Sequence, residues 1–353
     1  LESSSLSSPT KKRAKEFLDF MSKNYIFSII LILLSIIISI FFIEILLRIN
    51  NQGPWGQLNI KRDDPTFNKP HQILGWVPKE GKYKFQPFSE EGEKFEINIL
   101  NDGSRKVASK EIETNNELIF LGGSITFGWG VNDDQTFVSK LQNMINNYRI
   151  KNFAVGGYGT YQSFLRLEEI LSKKSDTKIV VAIYVPHHSL RNIGDEFWLR
   201  TLTKHSKKGY IELPYASINE NQDLVRHEPI SYIKTPLKDK LAISNKIAKR
   251  IMKYKLSDNE KNRYLVTNSV FKEMSNITKE KNIKLIIVNI SNNEKALNPY
   301  LKTFNKNKID YFSCNIETTD DLTIKGDGHP NDLLHSKFSQ CIYKNLKKKI
   351  KII

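Results

Sequence analysis

The hydrophobic positions of this chain follow three different rhythms. The first is unbroken. Ile26 to Ile43 (IFSIILILLSIIISIFFI) carries no charge, and Tyr25 and the ILL after Glu44 extend it to residues 25–47. At about 1.5 Å per residue, a helix of this length crosses a hydrocarbon core of about 30 Å. It has no polar face at any helical period, which argues against a helix buried in a soluble core. It ends in FFIEILLRIN, without the small-residue pattern of a cleaved signal. The expectation is one uncleaved N-terminal transmembrane helix. Lys11, Lys12, Arg13, Lys15 and Lys23 precede it, and Arg48, Lys61 and Arg62 follow more sparsely. That asymmetry puts residues 1–24 in the cytoplasm as a basic leader, with the body periplasmic or extracellular. No later run is long enough to return; Ile179–Val185 is only strand length.

The second rhythm alternates. After a Gly/Pro/Asn/Asp-containing linker (Asn50 to Lys69), His71 to Val107 holds short runs such as YKFQPF and FEINIL between the turns KEGK, EEGE and NDG. Residues 48–114 read as a linker and a small β-rich lead-in.

The third rhythm alternates strand with helix and fills residues 115–353. Strands are expected at ELIFLGG from Glu117, at Ile150–Val155, at Lys178–Val185 and at Ile283–Ile290. Helices are expected at Gln135–Tyr148, Thr160–Ser172, Tyr264–Lys281, Leu297–Asn305 and Asn331–Lys349. Apolar strands between helices predict an α/β protein: a three-layer α/β/α sandwich around a mainly parallel sheet. His205 to Tyr254 breaks the pattern with a hairpin and a basic helix. It reads as an insertion around 205–254 that shapes a substrate cleft, its cover or a partner surface. No internal repeat is present.

Composition changes this picture little. Lys+Arg outnumber Asp+Glu by 54 to 38, a net charge of +16. The chain is rich in Lys, Asn and Ile throughout. No basic stripe interleaved with aromatics appears, so no nucleic-acid partner is expected. Its two cysteines, Cys314 and Cys341, lack any zinc-type spacing, and no metal is expected. They read as two buried thiols, with a single disulfide as the alternative in an oxidising compartment. Leu1 to Thr10 is Ser-rich and reads as a disordered leader.

Two loops can carry chemistry. LGGSITFGWG (Leu121 to Gly130) places Ser124 directly after the first strand of the sheet, at the end where α/β folds bind ligands. It is not a P-loop, because Trp129 stands where the Lys is needed. Nor is it a GxSxG elbow, because Thr126 occupies the second Gly position. A serine nucleophile and a plain turn remain. Far along the chain, KGDGHPN presents Asp327 and His329 from one loop before the last helix. The carboxylate can orient the imidazole, and the imidazole can serve Ser124 as base. The plainer reading is a turn, since Pro330 and Asn331 suit a helix start.

Taken together, GGSITFG, NFAVGGYGT (Asn152 to Thr160) and DGHPN resemble the blocks of the SGNH (GDSL-type) hydrolase superfamily, over about Glu117 to Lys349. The resemblance implies Ser124 as nucleophile, His329 and Asp327 as its partners, and backbone N–H groups of Ser124 and Gly157 at the oxyanion. Two positions depart from the pattern. Gly123 stands where the motif has Asp. In the third block, PHHSLRN replaces the usual Gly-x-Asn-Asp, and His187 stands where the oxyanion Asn is expected. His188 or Asn192 are alternatives for that donor. The resemblance implies a membrane-anchored extracytoplasmic serine esterase, without cofactor, acting on O-acyl esters, O-acetyl foremost, of a carbohydrate. Two alternatives stay open. One is an O-acyltransferase to an envelope polysaccharide, supplied by a membrane acyl-donor protein. The other is a non-catalytic glycan- or partner-binding module. Trp129, Tyr158, Tyr161 and Trp198 are either sugar-stacking rings or core.

Overall fold

The computed structural model describes residues 9–55, 67–86, 94–108, 112–173, 176–205 and 211–350. The chain divides into two compact units: Leu1–Gly56 with Ile233–Ile251, and Gln57–Tyr232 with Met252–Ile353.

The first unit is built on α1 (Pro9–Ile49). Pro9 and Thr10 belong to this helix rather than to a disordered leader, and proline suits a first helical turn because its missing N–H has no partner there. Residues 1–8 lie outside the described residues. Lys23–Ile49 is long and apolar enough to cross a membrane. Nearly all of its isoleucines, leucines and phenylalanines are exposed. Near its end the carboxylate of Glu44 is buried. It accepts the N–H groups of Ala242 (2.9 Å) and Ile243 (3.0 Å), capping the helix that starts there. Arg48 bonds Glu44 at 2.7 Å and donates to the Lys240 carbonyl at 2.9 Å. The Trp55 N–H donates to the Lys238 carbonyl, and the Lys238 ammonium sits over the Trp55 ring. The expected insertion at 205–254 is therefore not one cover. Residues 233–251 fold with the apolar helix.

The second unit opens with two hairpins. β1 (Asn68–His71) pairs antiparallel with β2 (Gly75–Pro78), and β3 (Gly81–Phe85) with β4 (Phe95–Ile99). Then come β5 (Glu117–Leu121), α2 (Ser124–Phe127), α3 (Phe137–Gln142), β6 (Arg149–Asn152), α4 (Thr160–Ser172) and β7 (Thr177–Tyr184). Two short helices, α5 (His188–Asn192) and α6 (Glu196–His205), follow. The hairpin β8 (Leu213–Ile218) and β9 (Leu224–Ile230) packs on α4, α5 and the later helix α8 (Arg263–Glu280). The chain closes with α7 (Ala242–Lys261), α8 (Arg263–Glu280), β10 (Lys284–Asn289), α9 (Leu301–Asn307), β11 (Asp310–Ser313) and α10 (Asp332–Lys349).

β11-β10-β7-β5-β6 form one five-stranded sheet, parallel throughout. Side chains alternate across it. Leu118 and Phe120, Val181 and Ile183, and Ile286 and Val288 share a core with Phe137 and Leu141 of α3 and Phe338 and Ile342 of α10. On the other face, α4 packs against β7 and α8 against β10. This is the three-layer α/β/α sandwich with a mainly parallel sheet. One expected helix is shorter: α3 stops at Gln142 rather than Tyr148. The Gln142 side chain donates to the carbonyls of Ile145 and Tyr148 and accepts from the N–H of Ile150, which stabilises a turn in place of further helix.

The cysteines are not thiols. Cys314 and Cys341 form a disulfide that ties the segment after β11 to α10.

Candidate active site

Strand β5 has β6 on one side and β7 on the other. Successive connections leave it in opposite directions, which opens a crevice at the carboxyl ends of the strands. Ser124, at the start of α2, follows β5. Gly157 lies in the loop after β6. His187 and His188 follow β7.

Ser124 Oγ lies 2.8 Å from His329 Nε2, and His329 Nδ1 lies 2.9 Å from Asp327 Oδ1. A carboxylate only accepts, so Nδ1 carries the proton. Nε2 of the neutral ring is then the acceptor and Ser124 the donor. The loop is shaped for this. The Ile324 carbonyl accepts the N–H groups of Asp327 and Gly328, and Ile324 N–H donates back to the His329 carbonyl. Gly328, at φ +79°, makes the reversal between the two side chains, a conformation that favours glycine. Asn331 then caps α10 by accepting the Leu334 N–H. The Asp327 side chain is nearly buried, and among the described residues its Oδ2 has no donor and its directed side-chain contact is the imidazole.

Backbone N–H groups of Ser124 and Gly157 donate to no acceptor among the described residues. His187 and His188 line, with Gly123 and Ser124, a cavity of about 10 Å³, room for about one water. Crowding by protein, then the charges of Arg191 and His329, lower His187 from its ordinary value, an effect limited by the exposure of the residue to solvent. Burial pushes His188 well down too, and its Nδ1 has no partner. Both rings are therefore neutral N–H donors at pH 7. Asn192 is not brought to this crevice. It is buried, accepting from the Tyr161 N–H and donating to Thr267 Oγ1.

The loop carrying Ser124 is braced by residues with no local signature in sequence. Arg105 is fully buried. It pairs with Asp133 at 2.8 Å and donates to the carbonyls of Phe127, Gly128 and Val131. Asn152 donates to the Thr126 carbonyl at 2.9 Å. The aromatic candidates separate. Trp129 packs with Phe85 and Phe95, while Tyr158 and Tyr161 are buried, with the Tyr158 hydroxyl donating to the Trp76 carbonyl. These three are packing residues. Trp198 remains beside the crevice, with the Arg191 guanidinium 3.9 Å from its ring. Among the described residues, no group of three His, Cys, Asp or Glu residues could hold a metal ion.

Several solved structures align with the chain. TesA is 13% identical at a TM-score of 0.38, over 67% of this chain and 100% of that one. A member of the lipolytic protein G-D-S-L family from Veillonella parvula is 12% identical at 0.35, over 66% and 97%. Est24, a carbohydrate acetylesterase from Sinorhizobium meliloti, is 10% identical at 0.38, over 67% and 100%. No protein-family model and no curated protein matches the chain. At these scores the likeness carries no argument, and the chemistry of the site stands on its own residues.

Proposed function

We propose that the chain is a serine esterase, held in a membrane by α1, whose site faces an extracytoplasmic compartment and cleaves O-acyl esters of a carbohydrate. One observation carries the reading: the continuous relay from Asp327 through His329 to Ser124 at hydrogen-bond distances. A plain turn or a binding module has no need of all three groups in line.

In this reading the Ser124 hydroxyl attacks the ester carbonyl as His329 Nε2 takes its proton. Negative charge gathers on the carbonyl oxygen, where the N–H groups of Ser124 and Gly157 meet it. The neutral His187 ring supplies a third donor in the place of the family's Asn. One such donor is worth about 3–4 kcal/mol of barrier. His329 then returns the proton to the departing alcohol, leaving the acyl group on Ser124. Water, deprotonated by the same imidazole, attacks that acyl-serine, and the acid leaves with Ser124 restored. Asp327 keeps the imidazole in the required tautomer and offsets its charge when protonated.

The disulfide and the exposed apolar helix support the placement, since disulfides persist outside the reducing cytoplasm. The test is turnover of an aryl acetate by the detergent-solubilised chain. Wild type releases the phenol, and Ser124→Ala does not. Equal turnover by the two would end the proposal. Acyl transfer to a sugar hydroxyl in place of water is the second outcome, read by adding candidate glycans and following the label.

A further inference from the structure

Arg191 is a cation that the relay does not use. Arg105, Arg149, Arg166, Arg200 and Arg226 in the same unit each pair with a carboxylate. Arg191 pairs with none among the described residues. Its guanidinium lies on the Trp198 ring at 3.9 Å, and one nitrogen, Nη1, donates to the Tyr158 carbonyl at 2.9 Å. Its Nε and Nη2 have no hydrogen-bond partner among the described residues.

That group lies close to Gly123. A Cβ on residue 123 would stand 3.0 Å from His188 Nε2, 3.0 Å from the Tyr158 carbonyl oxygen and 3.3 Å from Arg191 Nη1. A side chain here would be tight against all three groups, and with glycine in place no carboxylate from that position neutralises the arginine. The residue beside Ser124 is bare backbone, with a fixed guanidinium directly against it.

Burial lowers Arg191 to about 9, so it keeps its proton at neutral pH. A positive charge held by an aromatic face and one carbonyl, with two donors left unpaired, is pre-organised for a planar anion. The net charge of +16 draws acidic polymers toward the chain as a whole.

We propose that Arg191 binds a carboxylate on the sugar unit that bears the ester, so that the substrate class is an O-acylated acidic polysaccharide. This rests on the esterase reading and narrows it. The guanidinium fork takes the carboxylate through Nε and Nη2, while the ester carbonyl lies over Gly123 and Ser124.

The test uses the full chain in detergent with two O-acetylated substrates. One is an O-acetylated methyl galacturonide, and the other is its uncharged 6-carboxamide. Wild type is expected to favour the carboxylate about ten- to a hundredfold in kcat/KM, mostly through KM. In Arg191→Gln the ratio falls to near one, and Arg191→Lys keeps part of it. A wild-type ratio near one overturns the proposal, and so does a ratio that survives Arg191→Gln. Should Arg191→Gln not fold, wild type still decides: free methyl galacturonide must inhibit aryl acetate turnover more tightly than its carboxamide, and equal inhibition overturns the site. Calorimetry on Ser124→Ala separates this proposal from the esterase reading. Carboxylate-selective binding there supports the Arg191 site even if wild type hydrolyses neither sugar, a combination that sinks the esterase reading instead.

Discussion

His329 Nε2 meets the Oγ of Ser124 at 2.8 Å across 205 positions of sequence. On the proposed mechanism, one group attacks only when the other takes its proton. Ser124→Ala and His329→Ala should each lower kcat by about three orders of magnitude or more. The double variant should be little worse than either, because the residues act as a unit. Losses that multiply in the double variant would contradict the shared role.

Ser124, Asp327 and His329 were legible as candidates in the sequence, because each sits in a short block whose glycines and position after a strand or before a helix mark it. Their support was not. Arg105 lies in an ordinary NDGSRK turn, and its partner Asp133 is 28 residues away. Nothing local distinguishes that buried pair from two surface charges. The same holds for Arg191, whose importance lies in lacking a carboxylate. The sheet was readable from strand-length apolar runs, yet the edge strand β11 (DYFS), half-buried throughout, was not. Asn192 shows the opposite limit. Its residue type suited an oxyanion donor, but its amide is spent joining α4 to α8.

Arg105 and Asp133 hold the turn after α2 from inside the core. Removing one partner leaves the other charged and buried. Arg105→Met should therefore cost about 3–5 kcal/mol in urea unfolding. A loss under about 1 kcal/mol would show that the pair does not brace the loop.

Cys314 and Cys341 are 27 residues apart. Closing a loop of that size restricts the unfolded chain by about 3–4 kcal/mol. Cys314→Ser with Cys341→Ser, or reduction of the native chain, should lower the unfolding midpoint accordingly. An unchanged midpoint in reductant would argue against the bridge.

His335 is fully buried, with Nδ1 accepting the Phe137 N–H and the ring stacked on Phe137. Burial first, then the charges of Arg105, Lys140 and His329, push its pKa down from 6.5 to about 3. Below about pH 6.5 the unfolded chain binds a proton there and the folded one does not. The stability is thus complete above that pH and is lost on acidification toward 3, by up to about 1.4 kcal/mol per pH unit from this group. His335→Gln should flatten that slope in unfolding curves taken between these limits. An unchanged slope would remove His335 from the account.

His187 shares a cavity wall with Ser124 where the family pattern has an asparagine. His187→Ala should reduce kcat about 10²–10³-fold. His187→Asn, which restores an N–H donor, should recover much of that. Equal loss in both would assign the ring to packing.

The most direct measurement is the intact mass of the chain quenched early in its reaction with an aryl acetate, followed by peptide mapping. The account predicts one added acetyl group on Ser124 in wild type. It predicts no such adduct in His329→Ala within the same time, and none in Ser124→Ala. Acetate release that persists in Ser124→Ala, or an adduct that maps elsewhere, would contradict it.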